Sequence, residues 1–141
     1  MKILLDTNIV LDVLLARKPF IENAREIFVL IENFEVSAYL CASSVTTLHY
    51  LLAKSLGKND ADKTIEELLV LFDIAKIDKI VLQDACKENG VDYEDSVIYS
   101  AAKQENIDII ITRDKKGFKK SKVTVVSPKE FLALLKEGRN D

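Results

Sequence analysis

The chain has 141 residues, 48% of them hydrophobic and 30% charged, with a net charge of −3. That is the balance of an ordinary globular domain long enough to bury a core, and it reads as one domain over residues 1–141. It excludes a uniformly basic nucleic-acid binder, so any contact with nucleic acid must come through a local patch or a metal. It also excludes a membrane protein, because no apolar run approaches the ~18 residues of a span.

Two cysteines, Cys41 and Cys86, lie in apolar surroundings without Cys-x-x-Cys spacing. Both read as small core residues in a reducing cytoplasm. His49 is the only histidine and cannot build a metal cluster alone.

Ile3, Leu4 and Leu5 form a short apolar run, the pattern of a strand buried on both faces. It stops at Asp6. Asn8 is suited to cap the apolar segment Ile9–Leu15 as a helix, although Asp6 itself is an alternative cap for that turn. Lys18-Pro19-Phe20 breaks the pattern, and Ile21, Ala24, Ile27, Phe28 and Ile31 then recur at helical spacing. Val36 to Cys41 predicts a second strand. Ser43 or Ser44 opens a helix with Val45, Leu48, Leu51 and Leu52 inward and Gly57 as its stop. Asn59 and Asp60 start another, with Ile65, Leu68, Leu69 and Phe72 on one side.

Asp73 to Ile77 predicts a third strand, after which Asp78 begins a helix that Gly90 ends. Asp92 caps the helix carrying Val97, Ile98, Ala101 and Ala102. Ile107 to Thr112 is the fourth strand and Val123 to Val126 the fifth. Ser127-Pro128-Lys129-Glu130 reads as a capping box with proline at the first helical position, and this last helix ends near Gly138. Strands alternating with helices predict an α/β protein: three α/β/α layers around a mainly parallel sheet.

In such sheets the chemistry sits at the carboxyl ends of the strands. Asp6 ends the first strand and Asp114 follows the fourth. The helix begun by Asp92 feeds the fourth strand, so its N-terminus and Glu94 and Asp95 lie at the same edge. Asp95 falls in line with Ile98 and Ala102, near the inward stripe. Asp12, a turn further into the first helix, reads as solvated or locally paired. Two carboxylates about 4 Å apart repel by roughly 4 kcal/mol at an effective dielectric near 20. Three at one edge weigh heavily against a net stability of ~5–15 kcal/mol. A divalent cation relieves that cost, and oxygen-only ligands point to Mg²⁺ or Mn²⁺. Metal-assisted phosphodiester hydrolysis is the chemistry such an ion supports. Arg113, Lys115, Lys116, Lys119, Lys120 and Lys122 cluster beside Asp114. A solvated loop is the default reading of such a run, and beside a phosphodiester site a phosphate-positioning patch is the reading preferred to it. Phe118 reads as the core anchor of that loop ahead of a base-stacking residue.

Asp6-Thr7-Asn8 after a hydrophobic strand, Asp92-Tyr93-Glu94-Asp95-Ser96 with Ala101-Ala102, and Thr112-Arg113-Asp114 with Gly117-Phe118 resemble the PIN-domain family. The opening Leu5-Asp6-Thr7-Asn8-Ile9-Val10-Leu11-Asp12 and the Arg17-x-Pro19-Phe20 segment resemble its VapC-like bacterial ribonuclease subgroup. The resemblance implies a five-stranded parallel sheet of order 3-2-1-4-5. It implies a Mg²⁺- or Mn²⁺-dependent ribonuclease acting on RNA, the toxin of a toxin–antitoxin pair, with a cognate antitoxin protein and a homodimer as partners. Carried over by position, Asp6, Asp95 and Asp114 are catalytic metal ligands and Asp92 an additional acid, with Thr7, Asn8 and Thr112 as nearby polar residues.

The sequence departs from the family pattern at one point. The acid usual early in the helix after the second strand is missing from Ser43-Ser44-Val45-Thr46-Thr47-Leu48-His49, and Gly117 stands where many members carry a further acid. Three readings follow: one metal held weakly, completion through water from Thr47 or Asp92, or a domain that binds RNA or a protein partner without cutting. A phospho-acceptor receiver domain, with Asp78 as acceptor, is a further and weaker alternative, since it expects paired acids after the first strand.

Overall fold

The computed structural model describes residues 1–88, 92–118 and 122–140. Five strands pair in parallel: β1 (Lys2–Leu5), β2 (Ser37–Cys41), β3 (Asp73–Ala75), β4 (Ile109–Ile111) and β5 (Thr124–Val126). Their order is β3-β2-β1-β4-β5, with the topological switch between β1 and β4. In a receiver-type sheet, order 2-1-3-4-5, β1 would neighbour β3. Here its neighbours are β2 and β4, which removes that alternative. Asp78 instead caps a helix, accepting from Val81 N at 3.0 Å and from Gln104 Nε2 at 3.1 Å.

Side chains alternate across β1 as the pleat requires. Ile3 and Leu5, with Ile109 and Ile111, join one core under α1 (Thr7–Leu14), α2 (Ile21–Glu32), α3 (Ala42–Leu56), α4 (Lys58–Leu71) and α7 (Pro128–Asn140). Leu4 and Ile110 join the opposite core under α5 (Lys79–Ala85) and α6 (Tyr93–Gln104). Three layers result. The capping box forms as expected: Glu130 N donates to Ser127 Oγ at 3.1 Å and Ser127 N to Glu130 Oε1 at 3.2 Å. Gly57 closes α3 with φ +90°, a backbone that a Cβ would strain.

Several local readings change. Asp6, not Asn8, caps α1, its Oδ1 accepting from Thr7 N at 2.8 Å. Leu69 is exposed, because α4 packs chiefly on α3 and buries only the narrow stripe of Ala61 and Leu68. Cys86 is exposed; only Cys41 is a core residue. β4 begins at Ile109 because the chain is still turning at Asn106, whose φ is +59°. The helix stop expected at Gly90 lies outside the described residues.

Candidate active site at the carboxyl edge of the sheet

Asp6 leaves β1 at the switch point, its N–H extending the ladder to Ile111 O at 3.0 Å. Its Oδ2 accepts from Thr112 Oγ1 at 2.7 Å, and the same hydroxyl oxygen accepts from Asp114 N at 3.0 Å. Buried Thr112 therefore ties the end of β1 to the loop that carries Asp114. Asn8 makes a longer link, its Oδ1 accepting from Arg113 N at 3.5 Å. Thr7 contributes through its backbone N–H.

α6 delivers the third acid. Asp92 caps it by accepting from Glu94 N at 3.0 Å, and both Asp92 and Glu94 are exposed. Asp95, in the first turn, is half-buried. Its carboxyl is pushed up to about 6, first by burial and then by the negative charges of Asp6, Asp92, Asp114 and Glu94. Four acids from three separate stretches thus act on one carboxyl. No ion pair among the described residues reaches any of the five.

Gly117 explains how Asp95 fits under the loop after β4. A Cβ at this position would overlap Asp95 Oδ2 and crowd its Cγ, so any larger residue must displace that carboxylate. A side chain as large as an acid has no room here while Asp95 keeps this place. Phe118 is buried and anchors the same loop, the role read for it from sequence.

The donor set suits a hard divalent cation: carboxylate oxygens only, no compensating base, and one acid pushed up to about 6 by burial and its negative neighbours. The set is open, however. Among the described residues no three His, Cys, Asp or Glu side chains are gathered as a ready ligand shell. Thr47 makes no described contact with the acids; its hydroxyl donates back to Ser43 O at 3.3 Å within α3.

The basic candidates separate. Arg113 is locked to Asp12, Nε to Oδ2 at 2.7 Å and Nη2 to Oδ1 at 3.2 Å, and its guanidinium lies 3.8 Å from the ring centre of Phe20. Lys115 pairs with Glu130 at 2.6 Å. Lys116 is exposed, with no acid partner among the described residues. Lys119 and Lys120 lie outside the described residues.

Asp12, read from the sequence as solvated or locally paired, is paired locally with Arg17 and, beyond that reading, with Arg113. It is fully buried rather than solvated, and it faces two arginines, since Arg17 Nε also lies 3.3 Å from its Oδ1 without the alignment of a hydrogen bond. The signal in the sequence was weak: an acid flanked by Leu11 and Val13 in an otherwise apolar helix.

The PIN domain family model matches residues 2–116. Ribonuclease VapC1 of Aquifex aeolicus (strain VF5) is 26% identical over 136 residues, covering 92% of each chain. Among solved structures, that of FitAB bound to an IR36 DNA fragment superposes with a TM-score of 0.72 at 26% identity, over 89% of this chain and 94% of that one. FitAcB from Neisseria gonorrhoeae gives 0.69 at 28% identity, over 90% and 98%. With the strand order, the acids at the switch point and a family match over most of its length, the chain belongs to the PIN-domain family.

Proposed function

We propose that this chain is a divalent-metal-dependent endoribonuclease that hydrolyses RNA phosphodiester bonds. In this reading it is the toxin of a toxin–antitoxin pair, held by an antitoxin protein, cytoplasmic and homodimeric. What supports the catalytic part is that the negative charges of Asp6, Asp92, Asp114 and Glu94 all act on Asp95, with no ion pair among the described residues to offset them, at the sheet edge where α/β folds bind substrate. The relative named ribonuclease VapC1 and the FitAB complexes support the biological part.

Asp6, Asp95 and Asp114 are assigned as Mg²⁺ or Mn²⁺ ligands, with Asp92 as a supplementary acid. A bound ion of this kind supplies an acidified water and offsets charge on the phosphodiester. The chain's own residues hold the acids in place. Thr112 fixes Asp6 Oδ2 and the backbone of Asp114 through one hydroxyl, while lone pairs on both Asp6 oxygens stay available for a ligand. Gly117 leaves Asp95 Oδ2 room at the edge. Lys116 is the described cation best free to meet a backbone phosphate.

The test is cleavage of single-stranded RNA with Mn²⁺ and with a chelator. Cutting that needs the ion and falls at least 100-fold in both Asp6→Asn and Asp95→Asn agrees with the assignment. Unchanged rates in those variants refute it. A second reading, a PIN domain that binds RNA or protein without cutting, is favoured by the absence of an acid from Ser43 to His49 and by the open ligand set. It predicts no cutting by the wild type at any Mn²⁺ concentration.

A further inference from the structure

Beside the acidic edge lies a concavity of opposite charge. A cleft of about 390 Å³ opens between the start of α2 and the start of α7, lined among others by Phe20, Asn23, Arg113, Ser127 and Lys129. That volume lies within the roughly 300–1,000 Å³ of small-ligand sites. Its lining carries two cations and no carboxylate. Arg113 joins this cleft to the acids, since it stands between Thr112, which holds Asp6, and Asp114.

One wall of the cleft is an arginine held over an aromatic ring. Asp12, wholly buried behind it, grips the guanidinium of Arg113 through two hydrogen bonds, and that guanidinium stacks 3.8 Å from the centre of the Phe20 ring. Arg113 and Arg17 face one carboxylate, so two positive charges less one negative leave +1, before Lys129 is added. Lys129 is exposed, with no acid partner among the described residues. Phe20 remains 39% exposed at the N-cap of α2. An exposed aromatic alone signifies nothing. Here ring and guanidinium form one fixed platform in a basic cleft, one residue from the acids. Unpaired bases of single-stranded RNA are bound by just such aromatic and arginine planes.

We infer that this cleft binds the nucleotide next to the phosphodiester that is cut. Its base extends the Phe20–Arg113 stack and its phosphate meets Lys129, with Asn23 and Ser127 on the lining beside the base. The inference rests on the RNA-cleaving reading, and it makes the cleft the part of the site that selects sequence. Arg113 is then a fixed stacking surface, not a mobile phosphate ligand.

The test is fluorescence anisotropy with a labelled single-stranded RNA decamer, measured in the Asp95→Asn background so that the strand stays intact. Phe20→Ala is expected to weaken binding about 10-fold, and Phe20→Tyr, which keeps the ring, to restore it. Lys129→Gln should weaken binding several-fold and lower the slope of log affinity against log salt by about 1. A decamer with one abasic nucleotide, scanned along the strand, should lose affinity at one position with Phe20 present and not with Phe20→Ala. Should Phe20→Ala fail to fold, Lys129→Gln and the abasic scan with Phe20 present decide: no change in salt slope and no single sensitive position overturn the inference. Affinity within twofold of the parent in all variants, as for a cleft that serves a protein partner, overturns the inference. Because the readout is binding and not cutting, that result would leave the nuclease assignment standing, and a failed cleavage test would leave this one readable.

Discussion

Replacing Asp12 by asparagine removes a carboxylate that is wholly buried and holds Arg113 through two hydrogen bonds, with Arg17 alongside. Removing one partner of a buried ion pair costs about 3–5 kcal/mol, because the charge left behind is uncompensated. The side chains of Arg113 and Arg17 keep 27% and 39% of their exposure, so water softens the loss and the lower figure, about 3 kcal/mol, applies. For a chain of this size that lowers Tm by roughly 10 °C. Thermal unfolding followed by circular dichroism, with urea unfolding beside it, measures the effect. The double variant Asp12→Asn with Arg113→Met should recover part of the loss, since the orphaned cation goes with its partner. Metal-dependent RNA cutting should fall as well, because Arg113 positions the backbone between Thr112 and Asp114. A Tm within 2 °C of the parent would mean that Asp12 is solvated after all, and that the buried clamp does not stabilise the edge of the site.

Two further perturbations bear on the acids. Asp95 has a folded pKa of about 6 against an unfolded value of 3.8, so its contribution to stability is full below about pH 4 and is lost as pH rises through about 6. Asp95→Asn should therefore make the metal-free protein more stable at pH 7, on the order of 1–2 kcal/mol after allowance for solvent screening. It should also flatten the fall in urea midpoint between pH 4 and 7; an unchanged pH profile would contradict the burial argument. Gly117→Ala should fold normally, since the added methyl meets only the end of the Asp95 side chain, yet weaken Mn²⁺ binding about 10-fold by pushing that carboxylate aside. Unaltered Mn²⁺ affinity by calorimetry would show that Asp95 takes no part in holding the ion.

Much of the sheet was legible because parallel strands covered on both faces are written as apolar runs, such as Ile3–Leu5 and Ile109–Ile111. Helix starts were legible wherever one side chain sets the cap, as at Asp78, Asp92 and Ser127. Asp6 and Asn8 stand two residues apart and either suits a cap, so local chemistry could not choose; the pull of Thr112 on Asp6, 106 positions away, belongs to the tertiary fold. The local pairing of Asp12 was open to the sequence, but its burial and its long-range partner Arg113, 101 positions along the chain, were not. Arg113 and Lys115 looked free within a basic run, but each is matched by an acid from another element. That the charges of Asp6, Asp92, Asp114 and Glu94 all act on Asp95 agrees with topology, since α6 feeds β4 and must start at the edge where β1 ends.

Anomalous diffraction from crystals grown with Mn²⁺ tests the shared cation most directly. A Mn²⁺ peak is expected among Asp6, Asp95 and Asp114, with carboxylate oxygens from at least two of them at about 2.1 Å and water completing the shell. A saturating soak that leaves this edge empty, or places the ion elsewhere on the surface, would contradict it.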